Sequence, residues 1–479
     1  MIRSRLWIVV VCAVGIVGGA ACSDSGFKLV PPSGNPRQNV MVIDTGIDLS
    51  AADLQGRVSA IYTETCANDS GGPASDAGSM PAVDGGPALD ALKQQLLTEL
   101  AQPDDSCDLK PGISAKPDPM PTIAKFKLRW NAMVRANEVP SQVFTGDEIS
   151  QLKTPIDNEM QTFAYHGTAT STTVSHENPD ARLVLVEREL ASESSLMTGF
   201  DCIVQSDIDQ AVDLLSDPQV YAASVAQPAQ IDTQIAEAQT TYKVGVVNES
   251  FGAESRQTLE ALQVTAKCPQ PIDLSAYFAL IDKMTNAHNA TIAGPSILTV
   301  QAAGNDGVEI DTGADSLSCD LGDPKDLLVG SYDPLTLARN TFSNYGACVN
   351  VYAPGQDIVV EYAGGWLLFP DGTSFASPLT ARYASMDTAV PSPFDPAAAR
   401  TAVLSVIGQQ NQFLPVNLFP QDFFYAPAQT TTDFVVPLAA SRVAHQAPSH
   451  RPPPHLLTQH ELHRVLGPLN RVRRLLHGR

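Results

Sequence analysis

Four short segments of this 479-residue chain hold residue types that together could run acyl transfer. Val42-Ile43-Asp44-Thr45-Gly46 closes an apolar run on a carboxylate, so Asp44 can be desolvated and held rigidly. His166-Gly167-Thr168 sets an imidazole beside a residue that leaves the backbone room. Gln301-Ala302-Ala303-Gly304-Asn305 follows another apolar run with an amide that can donate to a developing oxyanion. Gly372-Thr373-Ser374-Phe375-Ala376-Ser377-Pro378 reads as a helix opening, where backbone N–H groups have no intrahelical acceptor. In this reading Ser374 attacks, His166 takes the proton and returns it to the leaving group, and Asp44 fixes the imidazole tautomer. Asn305 and the Ser374 N–H receive the oxyanion.

These residues need a scaffold that brings distant positions together. Apolar runs rich in Val, Ile and Leu fall at 39–43, 182–187, 244–247, 297–302 and 327–330 and read as buried strands. Helical patterns fall between them, at 208–215 and 275–288. Strand and helix alternating over this length predict an α/β fold, a parallel sheet with helices on both faces. Between Ser70 and Pro121 the composition turns to Gly, Pro, Ala, Asp and Ser. This marks a large loop-rich insert between Asp44 and His166, spanning about 64–160, with one helix expected near Leu89 to Leu100. The main domain is expected over 39–410, followed by an extension at 411–479 that ends in a Pro-, His- and Arg-rich tail. That tail is read as a disordered basic segment rather than a metal site, because its histidines lack helical ligand spacing.

The four segments, in the order Asp, His, Asn, Ser, resemble the signatures of the subtilisin-like serine peptidases: Asp-Thr-Gly-Ile-Asp, His-Gly-Thr, Ala-Ala-Gly-Asn and Gly-Thr-Ser-Phe-Ala-Ser-Pro. Ser250-Phe251-Gly252 resembles the edge segment that pairs with substrate backbone in that family, and Ser343 to Gly355 resembles the approach to the serine. The resemblance implies a seven-stranded, mostly parallel sheet and serine endopeptidase activity on protein or peptide substrates. It implies no cofactor for the chemistry, and it is compatible with a structural calcium ion whose ligands the sequence does not assign. Two departures stand out. Phe375 replaces the family's Met, one bulky apolar residue for another. After His166-Gly167-Thr168 the chain reads Ala169-Thr170-Ser171-Thr172-Thr173, poorer helix material than the family's small-residue stretch.

The formal net charge of −22 excludes a nucleic-acid partner, since an acidic body repels phosphate. At the N-terminus, Arg3 and Arg5 precede an apolar stretch from Leu6 to Val17 and the small residues Gly19-Ala20-Ala21. Residues 1–21 therefore read as an export signal and 22–38 as a tether. Cys22 is the expected lipidation site, which would anchor the protein to a membrane in the cell envelope; simple secretion is the alternative. Cys66, Cys107, Cys202, Cys268, Cys319 and Cys348 form an even set that suggests disulfides in an exported chain, with Cys319–Cys348 one candidate pair.

Three other readings compete with this one. An inactive subtilisin-like scaffold would keep the fold without turnover. A peptide-processing transacylase would use the same triad with an amine acceptor. An aspartic peptidase would use Asp44 and Asp311, each followed by Thr-Gly, but leaves His166, Asn305 and Ser374 without a role.

Overall fold

The computed structural model describes residues 27–66, 87–101, 107–113, 119–162, 164–188, 202–226, 230–250, 272–292, 296–310, 325–386, 393–406 and 466–473, with isolated positions between 259 and 268 and at 475. Strand β1 (Asn39–Thr45) is buried along its whole length. Its alternation sends Val40 and Val42 to one face of the sheet and Met41 and Ile43 to the other. Then come β2 (Val58–Cys66), α1 (Pro87–Leu100) and β3 (Cys107–Pro111). Helices α2 (Lys127–Arg135), α3 (Pro140–Val143), α4 (Gly146–Thr162) and α5 (His166–Ser175) follow, and the chain re-enters the sheet at β4 (Arg182–Arg188). Helices α6 (Gln205–Ser216), α7 (Pro218–Ala226) and α8 (Gln230–Thr241) lead to β5 (Val246–Glu249), and α9 (Ser275–Ile292) leads to β6 (Leu298–Ala302). The last strands are β7 (Asp326–Asp333), β8 (Ala338–Arg339), β9 (Val351–Pro354), β10 (Val360–Tyr362) and β11 (Trp366–Leu368). Helices α10 (Thr373–Met386) and α11 (Pro396–Val406) complete the domain.

Among the described residues the main sheet has nine strands in the order β3-β2-β4-β1-β5-β6-β7-β8, with β9 also paired to β7. Setting aside β3 and β8, which pair antiparallel, a parallel set of seven strands remains. The expected seven-stranded sheet is thus present, with a strand from the insert added at one end and a short hairpin partner on β7. The chain leaves β1 for β2, returns through β4 on one side of β1, and then crosses to β5 on the other. The carboxyl end of β1 is therefore a topological switch point, where an open α/β sheet leaves a crevice. Asp44 stands there, in register with Glu187 of β4.

One face of the sheet carries the main core, built with α5, α10 and much of the insert: Met120, Trp130, Phe144, Leu152 and Ile156 share it with Val42, Leu185 and Phe375. Ile231, Ile235 and Ala238 of α8 cover the other face. A separate helical cluster joins α1, α6, α7 and α9, and Leu469, Val472 and Leu475 of the C-terminal segment are buried in it.

Two expectations change here. The insert is expected to be loop-rich, yet residues 119–162 are mostly helical and share the main hydrophobic core of the sheet. The tail was read as disordered, yet 466–473 is helical and docked, with Arg473 Nε 3.1 Å from the Asp207 carboxylate. Leu469, Val472 and Leu475 gain from burial there, and the mostly buried Arg473 is matched by the buried Asp207 carboxylate, so its charge is not left unpaired.

Disulfides join Cys66 to Cys107, across β2 and β3, and Cys202 to Cys268. Cys348 is disulfide-bonded as well, while Cys319 lies outside the described residues. None of the described helices is long and apolar enough to cross a membrane; residues 1–26, including Cys22, lie outside the described set.

Candidate active site

The site begins with two loops that interlock. Gly46 turns with φ +52°, and a Cβ there would overlap the Ala164 carbonyl. A Cβ on Gly167 would likewise strike the Thr45 carbonyl. Glycine is therefore required at both positions for close approach, and at Gly46 for the left-handed backbone too. The Thr168 N–H donates to the Gly46 carbonyl at 3.1 Å, and the Asp48 N–H donates to the Thr168 hydroxyl at 2.8 Å. Asp-Thr-Gly and His-Gly-Thr are in this way two halves of one contact.

That contact aims the side chains. Asp44 is fully buried and His166 nearly so, and His166 Nδ1 lies 2.8 Å from Asp44 Oδ1. An ionised carboxylate only accepts, so Nδ1 carries the hydrogen and Nε2 is left as the basic nitrogen of the neutral ring. Asp44 Oδ1 also accepts from the Thr45 N–H at 2.6 Å. Asp44 Oδ2 accepts from the Thr170 hydroxyl at 2.8 Å.

Ser374 is the second residue of α10, which packs against α5. The ring of Phe375, next to it, lies against His166 with 5.5 Å between centroids. Thr373 reaches Asn305: its N–H and its hydroxyl both donate to Asn305 Oδ1, at 2.9 and 3.0 Å. With Oδ1 committed to Thr373, the donor end of the amide is fixed as Nδ2, the group an oxyanion requires. Asn248 of β5 links Ser250 to this helix, accepting from the Ser377 hydroxyl at 2.9 Å and donating to the Ser250 hydroxyl at 2.8 Å. Phe251 and Gly252 lie outside the described residues.

The sequence reading missed the supports. Tyr362 of β10 accepts from the Tyr165 N–H at 3.3 Å and donates to the Glu159 carbonyl at 3.4 Å, joining the insert to the residue before His166. Burial pushes the Tyr362 hydroxyl well above its ordinary pKa, so the proton it donates is retained. Trp130 Nε1 donates to the Leu367 carbonyl at 2.8 Å, and Asn131 bonds both Gly365 and Leu367. Only the indole and amide types hinted at such contacts; nothing local names their partners. As for metals, Glu64, Cys66 and Cys107 lie within ligand distance of one another, but the two sulfurs are joined as a disulfide.

Curated relatives match over parts of the chain. Alkaline protease 1 of Aspergillus clavatus is 39% identical over 84 residues, 17% of this chain and 19% of the relative. A subtilisin-like protease of Coccidioides posadasii is 34% identical over 162 residues, 33% of this chain and 36% of the relative. The chain thus matches about a fifth to a third of these relatives' length. Among solved structures, the prenylagaramide maturation protease PagA covers 80% of this chain and 93% of its own, at 15% identity and a TM-score of 0.36. The subtilase family model matches residues 37–414, from the start of β1 past the end of α11 and through all four motifs, and the chain therefore belongs to the subtilase family.

Proposed function

We propose that the protein is an exported serine endopeptidase that hydrolyses peptide bonds through an acyl-enzyme at Ser374. His166 acts as general base toward the Ser374 hydroxyl and then protonates the leaving amine. Asp44 holds the imidazole in its Nδ1–H tautomer and stabilises the imidazolium that forms. Asn305 Nδ2 and the Ser374 N–H stabilise the tetrahedral oxyanion. The segment from Ser250 through Phe251 and Gly252 pairs with the main chain of a protein or peptide substrate, as an added strand. Lipidation at Cys22 holds the enzyme at the cell envelope, and disulfides suit that oxidising location. Calcium, if bound, serves the fold and not the chemistry.

The observation that carries this reading is the buried Asp44–His166 pair at 2.8 Å, seated against the helix that opens at Thr373-Ser374. A solvated surface pair would carry no such meaning, but a buried imidazole–carboxylate pair packed against the helix that carries Ser374 at its start fits the apparatus of acyl transfer. The test is a fluorophosphonate serine probe applied to the full chain, with the adduct mapped by mass spectrometry. Labelling at Ser374 that is lost in Ser374→Ala and strongly slowed in His166→Ala is the expected result. Absence of labelling on folded protein would leave the chain an inactive scaffold of this fold.

A further inference from the structure

The polar run after His166 has a use that its poor helix propensity hides. Every residue of α5 is buried; the hydroxyls of Thr173 and Ser175 donate to carbonyls four residues back in the helix, and that of Thr172 lies 2.9 Å from the Glu361 carbonyl and 3.0 Å from that of Ala169. Thr170 differs. Its hydroxyl lies 2.8 Å from Asp44 Oδ2 and 3.2 Å from the Gly167 carbonyl. A hydroxyl has one hydrogen, and the nearer, charged acceptor is the stronger one. Among the described residues, Asp44 Oδ1 serves Thr45 and His166, and Oδ2 takes its hydrogen bond from Thr170. Asp44 is shut off from solvent, so water does not replace that donor.

We propose that Thr170 is a positioning residue for acyl transfer, clamping Oδ2 so that the carboxylate plane cannot rotate and Oδ1 stays on His166 Nδ1. The proposal rests on the peptidase reading for its kinetic consequence, though not for the contact itself. Thr170 sits one helical turn after His166, on the same element, so any shift of α5 moves the imidazole and the clamp together. The imidazole and both carboxylate oxygens are thereby fixed relative to one helix, before any substrate arrives. Removing the hydroxyl leaves Oδ2 buried without that donor and lets the carboxylate turn toward other N–H groups, away from Nδ1.

The experiment compares full-length Thr170→Val, Thr170→Ser and the control Thr173→Val, which makes the same chemical change on the same helix away from Asp44. Two readouts are taken: kcat and KM on a peptide substrate, and the low-field NMR signal of the hydrogen between His166 Nδ1 and Asp44. Thermal unfolding confirms that each variant is folded, and Thr170→Ala substitutes if Thr170→Val is not. The expected result for Thr170→Val is a fall in kcat of about tenfold, KM within about twofold, and a shifted or broadened low-field signal. Thr170→Ser restores both, and Thr173→Val leaves both as in the unaltered chain. An unchanged signal and kcat in Thr170→Val, or equal effects in Thr173→Val, overturns the proposal. If Thr170→Val moves the signal but no variant, nor the unaltered chain, takes the serine probe or cleaves peptide, the peptidase reading falls and the clamp stands.

Discussion

Two regions packed beside the sheet, residues 119–162 and the helical cluster that includes residues 466–475, are held in different ways. Residues 119–162 are fused to the main core. Trp130 is fully buried and stacks on Phe369 at 5.9 Å, and Asn131, Trp130 and Lys127 grip the backbone of the β10–β11 hairpin. Tyr362 then passes that support to the residue preceding His166. The helical cluster of α1, α6, α7, α9 and residues 466–475 instead has its own apolar centre, its own disulfide and its own ion pairs. The first region is a brace behind α5, which carries His166; the second is a satellite. What separates them is whether their buried side chains end on the backbone that carries the site.

The sharpest way to break this contrast is Trp130→Ala. Removing the indole opens a cavity in the main core and strands the Leu367 carbonyl, at a cost of about 4 kcal/mol. Probe labelling at Ser374 should fall along with thermal stability. If stability falls but the labelling rate of the folded fraction does not, the brace has no link to the site.

Leu469→Ala should cost about 3 kcal/mol, since Leu469 is fully buried in the satellite. Hydrogen exchange should then quicken in α6, α7 and α9 while Ser374 keeps its labelling rate. A labelling rate that collapses in step would show that the satellite also supports the site.

A third variant reads charge on the brace side. Asp357 follows β9 in a left-handed conformation (φ +53°), and its N–H donates to Asp371 Oδ1 at 2.7 Å. Burial, reinforced by the nearby Asp333 carboxylate, pushes the Asp357 carboxyl up to about 6. A raised carboxyl means the folded state holds its proton more tightly than the unfolded chain. Stability therefore drops as pH rises from about 4 to 6 and stays reduced above that. Asp357→Asn keeps a residue that tolerates left-handed backbone and removes the charge. It should stabilise the protein by about 2 kcal/mol at pH 7, with the gain gone by about pH 4. A pH-independent difference in unfolding temperature would refute the assignment.

The smallest effect belongs to the satellite surface. Lys93 Nζ and the Asp217 carboxylate are 2.7 Å apart but both solvent-accessible. Lys93→Ala should lower Tm by less than about 2 °C, and high salt should erase the difference. A larger loss would mean that α1 is held to the satellite by charge more than by Leu96 and Leu100.

Much of the fold and most of the candidate site were legible beforehand, for local reasons. β1, β4, β6 and β7 announce themselves because a strand buried on both faces must be continuously apolar. Asp44, His166, Asn305 and Ser374 stand out because each needs particular neighbours: Gly46 for a left-handed turn, Gly167 for close approach, Thr373 at a helix start. The helices at 127–162 were not legible, because Pro155 and a mixed polar pattern obscure the periodicity of α4. The docking of 466–473 was hidden by its arginines, since the acid that receives Arg473 lies at Asp207.

By itself, then, the sequence determined what is dictated at short range: the strand–helix alternation, the glycines that permit close approach, and the order of the acid, the base, the amide and the hydroxyl. Tertiary structure alone decided which partners those residues meet. Thr170 finds Asp44 across 126 positions, and Trp130 finds Leu367 across 237. Such pairings follow from how layers stack, and stacking depends on the whole set of buried faces at once, which no local pattern encodes.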